Sequence, residues 1–259
     1  MNRKHILPAI IIIIFTGLGI AFYHDLLNAD ENEGDKLNLV VYCAAGVRAP
    51  VELLAQEFAE HNEVKVDLVY GNSGNLRSQI KTRGVGDLYI PGDPRFLNSV
   101  DYLAAEEIAN HFPVLVVNAS QADRIETVRE LVNSDISFVL VKADSTALGE
   151  TTEKIIAGVG LHDQLKGRLY GRVATANQVP LYVSLGDRLA GICWYSNYLM
   201  YEEDLITIKI PEHLQTRIPI IGVVLSNSEH QKKAEKFLDH LKSDNANEVF
   251  EHQGFEIAE

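Results

Sequence analysis

Positive charge is scarce in this chain: 23 lysines and arginines stand against 36 aspartates and glutamates in 259 residues, a formal net charge of -13 at pH 7. A nucleic-acid binder needs a basic face to meet phosphates, and this balance argues against one. It leaves room for a small-anion site, because such sites are built from local dipoles rather than net charge. Cysteine is scarcer still. Cys43 and Cys193 are the only two, which makes no disulfide framework. Both lie in apolar runs, VVYCAA and AGICWY, and read as buried thiols.

Catalytic signatures are missing as well. None of the nine histidines stands in an H-E-x-x-H spacing, and no G-x-x-x-x-G-K-[ST] occurs, so zinc-protease and P-loop chemistry have no footing. GNSGN, from Gly71, brings its second glycine one residue too early for a G-x-S-x-G hydrolase elbow. The pairs Glu106–Glu107 and Glu202–Glu203 sit in polar stretches and read as surface charge. The expectation is a non-enzyme with no cofactor and no free metal cation.

What is present begins with a leader. Arg3 and Lys4 precede a nearly unbroken apolar run from Ile6 to Tyr23, with Gly19 and Ala21 placed for cleavage after Ala21. The run also reaches the lower limit for a membrane span, about 18 residues. Residues 1–29 are therefore a signal peptide or an N-terminal membrane anchor, and residues 30–36 an acidic linker. The folded part lies in the periplasm or otherwise outside the cytoplasm, released or held by that anchor.

From residue 37 the pattern is strand, helix, strand, helix, strand: LNLVVYC, a helix carrying Val51, Leu54, Ala55 and Phe58, then VKVDLVY, LRSQIK and GDLYIP. This order favours parallel α/β sheets. FPVLVVNA, SFVLVKA, LAGICWY, LITIKI and IPIIGVVL read as further strands. ETVRELV, ETTEKIIAG and QVPLYVSLG read as helices, as does a terminal one with Ala234, Phe237, Leu238 and Leu241 on one face.

The helix starts are the informative places. CAAGVRAP joins a buried strand to a helix with no Ser, Thr, Asp or Asn to cap it, so its first N–H groups need another partner. GNSG before LRSQI, STALGETT and ATANQVP are three more glycine-, serine- or alanine-rich mouths. A helix N-terminus attracts anions, and in α/β folds the carboxyl ends of the strands gather at one crevice. GNSG then reads as half of an anion cradle.

With these segments the chain resembles the type II periplasmic solute-binding proteins of ABC transporters, and among them the molybdate/tungstate-binding branch. The resemblance runs over nearly all of residues 37–256. It is carried by VVYCAAGVRAPVELLAQEF, VYGNSGNLRSQI, GDLYIPGDPRFL, LAGICWYS and the terminal FLDHLKSDNANEVFEHQGF. It implies two α/β lobes, each a mostly parallel sheet flanked by helices, with a ligand cleft between them. Lobe one is expected at 37–113 plus 213–259 and lobe two at 114–212. It also implies an extracytoplasmic monomer that captures molybdate or tungstate and delivers it to a permease in the membrane.

Carried over by position, the resemblance puts Ser73 on the anion through its hydroxyl. Leu148 and Gly149 would offer backbone N–H groups from lobe two, and Ala176 or Asn177 another. Gly46 stands where that family usually has a second binding serine, and Trp194 where it often has a tyrosine. Arg48, two residues past Gly46, is a candidate to replace the missing hydroxyl with its planar fork of donors. Alternative readings are a ferric-iron receptor of similar fold using Tyr195, Tyr198 and Tyr201, an anchored sensor domain, and an enzyme on the same scaffold.

Overall fold

The computed structural model describes residues 37–258, Ser145 excepted. The expected leader and linker both lie outside the described residues. Among the described residues no helix is long and apolar enough to cross a membrane.

The chain opens with β1 (Asn38–Ala44), paired on both edges by strands and packed on both faces, with Tyr42 on one core and Leu39, Val41 and Cys43 on the other. It turns through Ala45–Val47 into α1 (Arg48–Asn62), which buries Pro50, Val51, Leu54, Ala55 and Phe58 and stops where Glu63 takes the left-handed conformation. β2 (Lys65–Gly71), α2 (Ser73–Arg83) and β3 (Leu88–Ile90) follow, then the edge strand β4 (Tyr102–His111). Next come β5 (Pro113–Asn118), α3 (Val128–Asn133), β6 (Ser137–Val141), α4 (Ala147–Gly158), β7 (Leu169–Val173) and α5 (Gln178–Leu185). β8 (Leu189–Trp194), the single turn α6 (Tyr195–Tyr198), β9 (Leu205–Ile208) and β10 (Ile218–Leu225) lead to α7 (Gln231–His240) and α8 (Asp244–His252).

These strands make two five-stranded sheets, in the orders β2-β1-β3-β10-β4 and β7-β6-β8-β5-β9. Each sheet with its helices is one lobe. β1 pairs in parallel with β2 and β3, and β6 with β7 and β8, as the strand–helix alternation requires. Each sheet is mostly parallel, with one strand against the other four: β10 runs antiparallel to β3 and β4, and β5 antiparallel to β8 and β9. The reversed strand is in each case the one by which the chain enters from the neighbouring lobe, β5 after Phe112 and β10 from Ile218.

Both sheets end up mixed, within an α/β fold. FPVLVVNA and IPIIGVVL each lie in a single sheet, as β5 and β10. The expected terminal helix is two helices, and Ala234, Phe237, Leu238 and Leu241 are all buried. Phe237 meets Phe58 of α1 with ring centroids 5.0 Å apart. Cys43 and Cys193 are free, buried, and in different sheets; burial pushes both thiols well above their ordinary range.

Candidate functional site

The carboxyl ends of the parallel strands in both sheets point at a common crevice, where a small cavity of about 20 Å³ lies between the lobes. None of its lining residues is a carboxylate, a lysine or an arginine. The polar groups that face it are neutral donors.

Ser73 is the first residue of α2 and is buried. Asn72 caps the helix by accepting from Asn75 N–H at 2.8 Å, which leaves the first N–H groups of the helix free of intrahelical partners. The Ser73 hydroxyl oxygen accepts from Gly92 N–H at 3.1 Å, and Tyr89 Oη donates to the Ser73 carbonyl at 2.7 Å. With an acceptor position filled by Gly92, the hydroxyl proton is left to donate. The serine is thus clamped with its proton available beside the cavity.

Gly46 also lines the cavity, and its missing side chain has a physical reason. A Cβ built on Gly46 would lie 3.0 Å from Trp194 Cδ1 and 3.2 Å from Nε1. The edge of the indole fills the place a serine would need. Trp194 ends β8, is 1% exposed, and stacks on His111 with centroids 4.3 Å apart and planes 12° from parallel. Its Nε1–H is a donor only, so the position still offers a hydrogen to an anion.

Gly92 is a point of closest approach between the lobes: a Cβ there would stand 3.0 Å from Ala147 Cβ. Arg95, just beyond it, reaches across the crevice. Its guanidinium donates to Glu150 at 2.5 Å and to the carbonyl of Thr146 at 2.7 Å. Asn72 Nδ2 donates to Ala174 O at 3.4 Å, a second bridge. Together these contacts hold the lobes closed over the cavity.

Of the residues expected from sequence, Gly46, Ser73, Ala176 and Trp194 line this cavity. Arg48 does not. It is exposed, pairs with Glu52 at 3.0 Å on its own helix, and lies over the Tyr70 ring at 4.7 Å. The lobe-two expectations shift toward the start of α4. Leu148 is a core residue, and Gly149 N–H donates to Thr146 O, so neither lines the cavity; Thr146 and Ala147 do. Gly149 is a glycine for packing: a Cβ there would come 2.2 Å from Ala143 O. Asn177 lines a neighbouring pocket of about 310 Å³ together with Arg48.

Thr146 and Ala147 fall in the STALGETT mouth and Gly92 in GDLYIPGDPRFL, whereas His111 escaped the sequence reading. His111 ends a strand whose YLAAEEIANH pattern reads as exposed, and a lone histidine there carries no motif. Tyr195, Tyr198 and Tyr201 do not line the cavity; Tyr195 stacks on Phe112 at 4.8 Å and meets Tyr198 at 5.8 Å. Among the described residues no three His, Cys, Asp or Glu side chains gather in a way that could hold a metal ion.

Known proteins share this architecture. A Haemophilus influenzae protein described as a binding protein is 25% identical over 222 residues, 84% of this chain and 90% of that protein. The molybdate-binding protein ModA of Escherichia coli is 23% identical over 94% of this chain and 97% of its own. The periplasmic molybdate-binding protein of Azotobacter vinelandii superposes with a TM-score of 0.75 at 16% identity, covering 85% of this chain and all of that one. The sulfate-binding protein SubI of Mycobacterium tuberculosis gives 0.75 at 14%, covering 86% and 88%. At these identities the two superpositions establish the fold alone. The sequence pattern of one family spans residues 39–256, and on that match the chain belongs to the bacterial extracellular solute-binding proteins.

Proposed function

We propose that this protein captures a fully ionised tetrahedral oxyanion, molybdate or tungstate ahead of sulfate, between its lobes and hands it to the permease of an ABC transporter. Lobe one is taken as 37–113 plus 213–259 and lobe two as 114–212. The observation that carries the reading is the lining of the small cavity between the sheets: neutral hydrogen-bonding groups and backbone at helix starts, with no carboxylate, lysine or arginine among them.

A ferric ion would need anionic oxygen ligands, and the lining offers none. The dianion replaces its water shell with Ser73 Oγ–H, the Trp194 indole N–H, the N–H groups at the start of α2 that the Asn72 cap leaves over, and the uncapped mouth of α4. Hydrogen bonds to a charged group contribute about 1.5–3 kcal/mol each, and a helix N-terminus roughly 0.3–2 kcal/mol. Four or five such contacts, less the cost of dehydration, reach the about -8 kcal/mol of micromolar binding. The relatives named for molybdate support that anion over sulfate.

The chain's family and the relatives described as binding proteins support a receptor rather than an enzyme, and we take it to be an extracytoplasmic monomer. A thermal-shift panel with molybdate, tungstate, sulfate, phosphate and ferric citrate tests this. A ligand at a thousandfold excess over its Kd adds about 4 kcal/mol, so molybdate and tungstate raise the melting temperature and iron does not. A shift with ferric citrate alone would refute the proposal.

A further inference from the structure

His111 closes β4 at the wall of the cavity and is 1% exposed. Both ring nitrogens, Nδ1 and Nε2, are buried and meet no hydrogen-bond partner among the described residues. The ring cannot turn away. Trp194 covers one face by stacking, and Phe255 packs against it at 5.1 Å. Its Cε1–Nε2 edge faces the two glycines of the cavity wall: a Cβ on Gly92 would be 3.5 Å from Nε2, and one on Gly46 3.7 Å from Cε1.

A neutral imidazole carries one N–H and one lone pair. Leaving both unanswered in a dry interior is costlier than an apolar ring of the same shape. A ligand in the cavity answers that need.

We propose that His111 is an anion-binding residue that donates from its Cε1–Nε2 edge and takes up one proton from solvent as the oxyanion is enclosed. The proposal rests on the oxyanion reading and gives it a further property: each captured anion brings a proton with it.

No charged side chain confronts the ring in the structure. β4 supplies neutral Asn110 beside it, β8 supplies Trp194, the segment after α8 Phe255, and the start of α4 Ala147. Asp93, next to Gly92, is committed to Arg95, accepting from its backbone N–H at 2.8 Å and lying 3.5 Å from its Nε. Burial therefore acts alone on His111 and pushes the imidazole from 6.5 down to about 3, disfavouring the imidazolium by a few thousandfold. Two negative charges about 4 Å away favour it by roughly a millionfold at the effective dielectric of about 20 inside proteins. The positive helix mouths oppose this within the last turn, and the balance still runs to proton uptake.

The test is calorimetric titration of the full chain, purified in mild detergent, with sodium molybdate, tungstate and sulfate at pH 7.5 in two buffers of different ionisation enthalpy. These anions are already fully ionised, so they take up no proton themselves. We expect close to one proton per anion for the wild type and none for His111→Gln. Wild-type affinity falls up to tenfold per pH unit between pH 6.5 and 8.5, and that of the variant stays flat. Binding without proton uptake, or uptake that survives in His111→Gln, overturns the proposal while the oxyanion reading stands. Absence of both heat and thermal shift with all three anions overturns both. If the glutamine variant does not fold, the wild-type proton count decides alone.

Discussion

Trp194 and Gly46 occupy one place between them. The indole edge lies 3.0 Å from where a Cβ on Gly46 would be, so a side chain at position 46 and the indole at 194 compete for the same space. Gly46→Ser is then expected to overpack the site, at a cost of about 1–3 kcal/mol, and to weaken oxyanion binding. In a Trp194→Tyr background the serine has more room. Urea denaturation of the two single variants and the double variant should give a coupling of about 0.5–3 kcal/mol. Strict additivity would mean that the two positions do not compete.

Ser73→Ala removes the clamped hydroxyl. The loss of a hydrogen bond to a charged group, about 1.5–3 kcal/mol, predicts affinity weaker by tenfold or more in titration calorimetry. The substitution also leaves Gly92 N–H without its acceptor, so a drop in stability of about 1–3 kcal/mol accompanies it. A stability loss with unchanged affinity would make Ser73 structural only.

The two arginines near the crevice should behave in opposite ways. Arg48 is exposed and its pair with Glu52 is a surface i,i+4 contact, worth about 0–1 kcal/mol. Arg48→Ala should leave anion affinity within about twofold, because the guanidinium is outside the cavity lining. Arg95 bridges to Thr146 and Glu150 of the other lobe. Its partial exposure discounts the contact to about 1 kcal/mol, so Arg95→Ala should speed ligand release about fivefold in stopped-flow chase. Equal effects from both would undo this assignment.

His111 also sets a pH dependence of stability without ligand. Its folded-state value lies near 3 against an ordinary 6.5, so between those values the unfolded chain holds the extra proton. Stability from this residue is present above about pH 6.5 and falls by about 1.4 kcal/mol per pH unit as pH drops toward 3. Chemical denaturation at pH 7, 5.5 and 4.5 should show that slope, and His111→Phe should remove it.

Much of this was legible in the sequence because the signals are local. The run LNLVVYC, the apolar stripe through Phe58 and the glycine- and serine-rich mouth at Ser73 each declare themselves within a few residues. The single reversed strand of each sheet was not, since it depends on where the chain crosses between lobes, and β4 is a glutamate-bearing edge strand. His111 was missed for a related reason: its surroundings come from what the rest of the fold brings near it, and no short window of sequence contains that. Arg48 was misplaced because its distance along the chain from Gly46 says nothing of the turn of α1, which carries it to Glu52.

The most direct test of the account is anomalous difference density from crystals grown with tungstate or molybdate. The account predicts a single metal peak in the cavity between the lobes, with anion oxygens in hydrogen-bond range of Ser73 Oγ, Trp194 Nε1 and the His111 ring. A peak elsewhere on the protein, or lobes closed around a cavity that holds no oxyanion at saturating ligand, would contradict it.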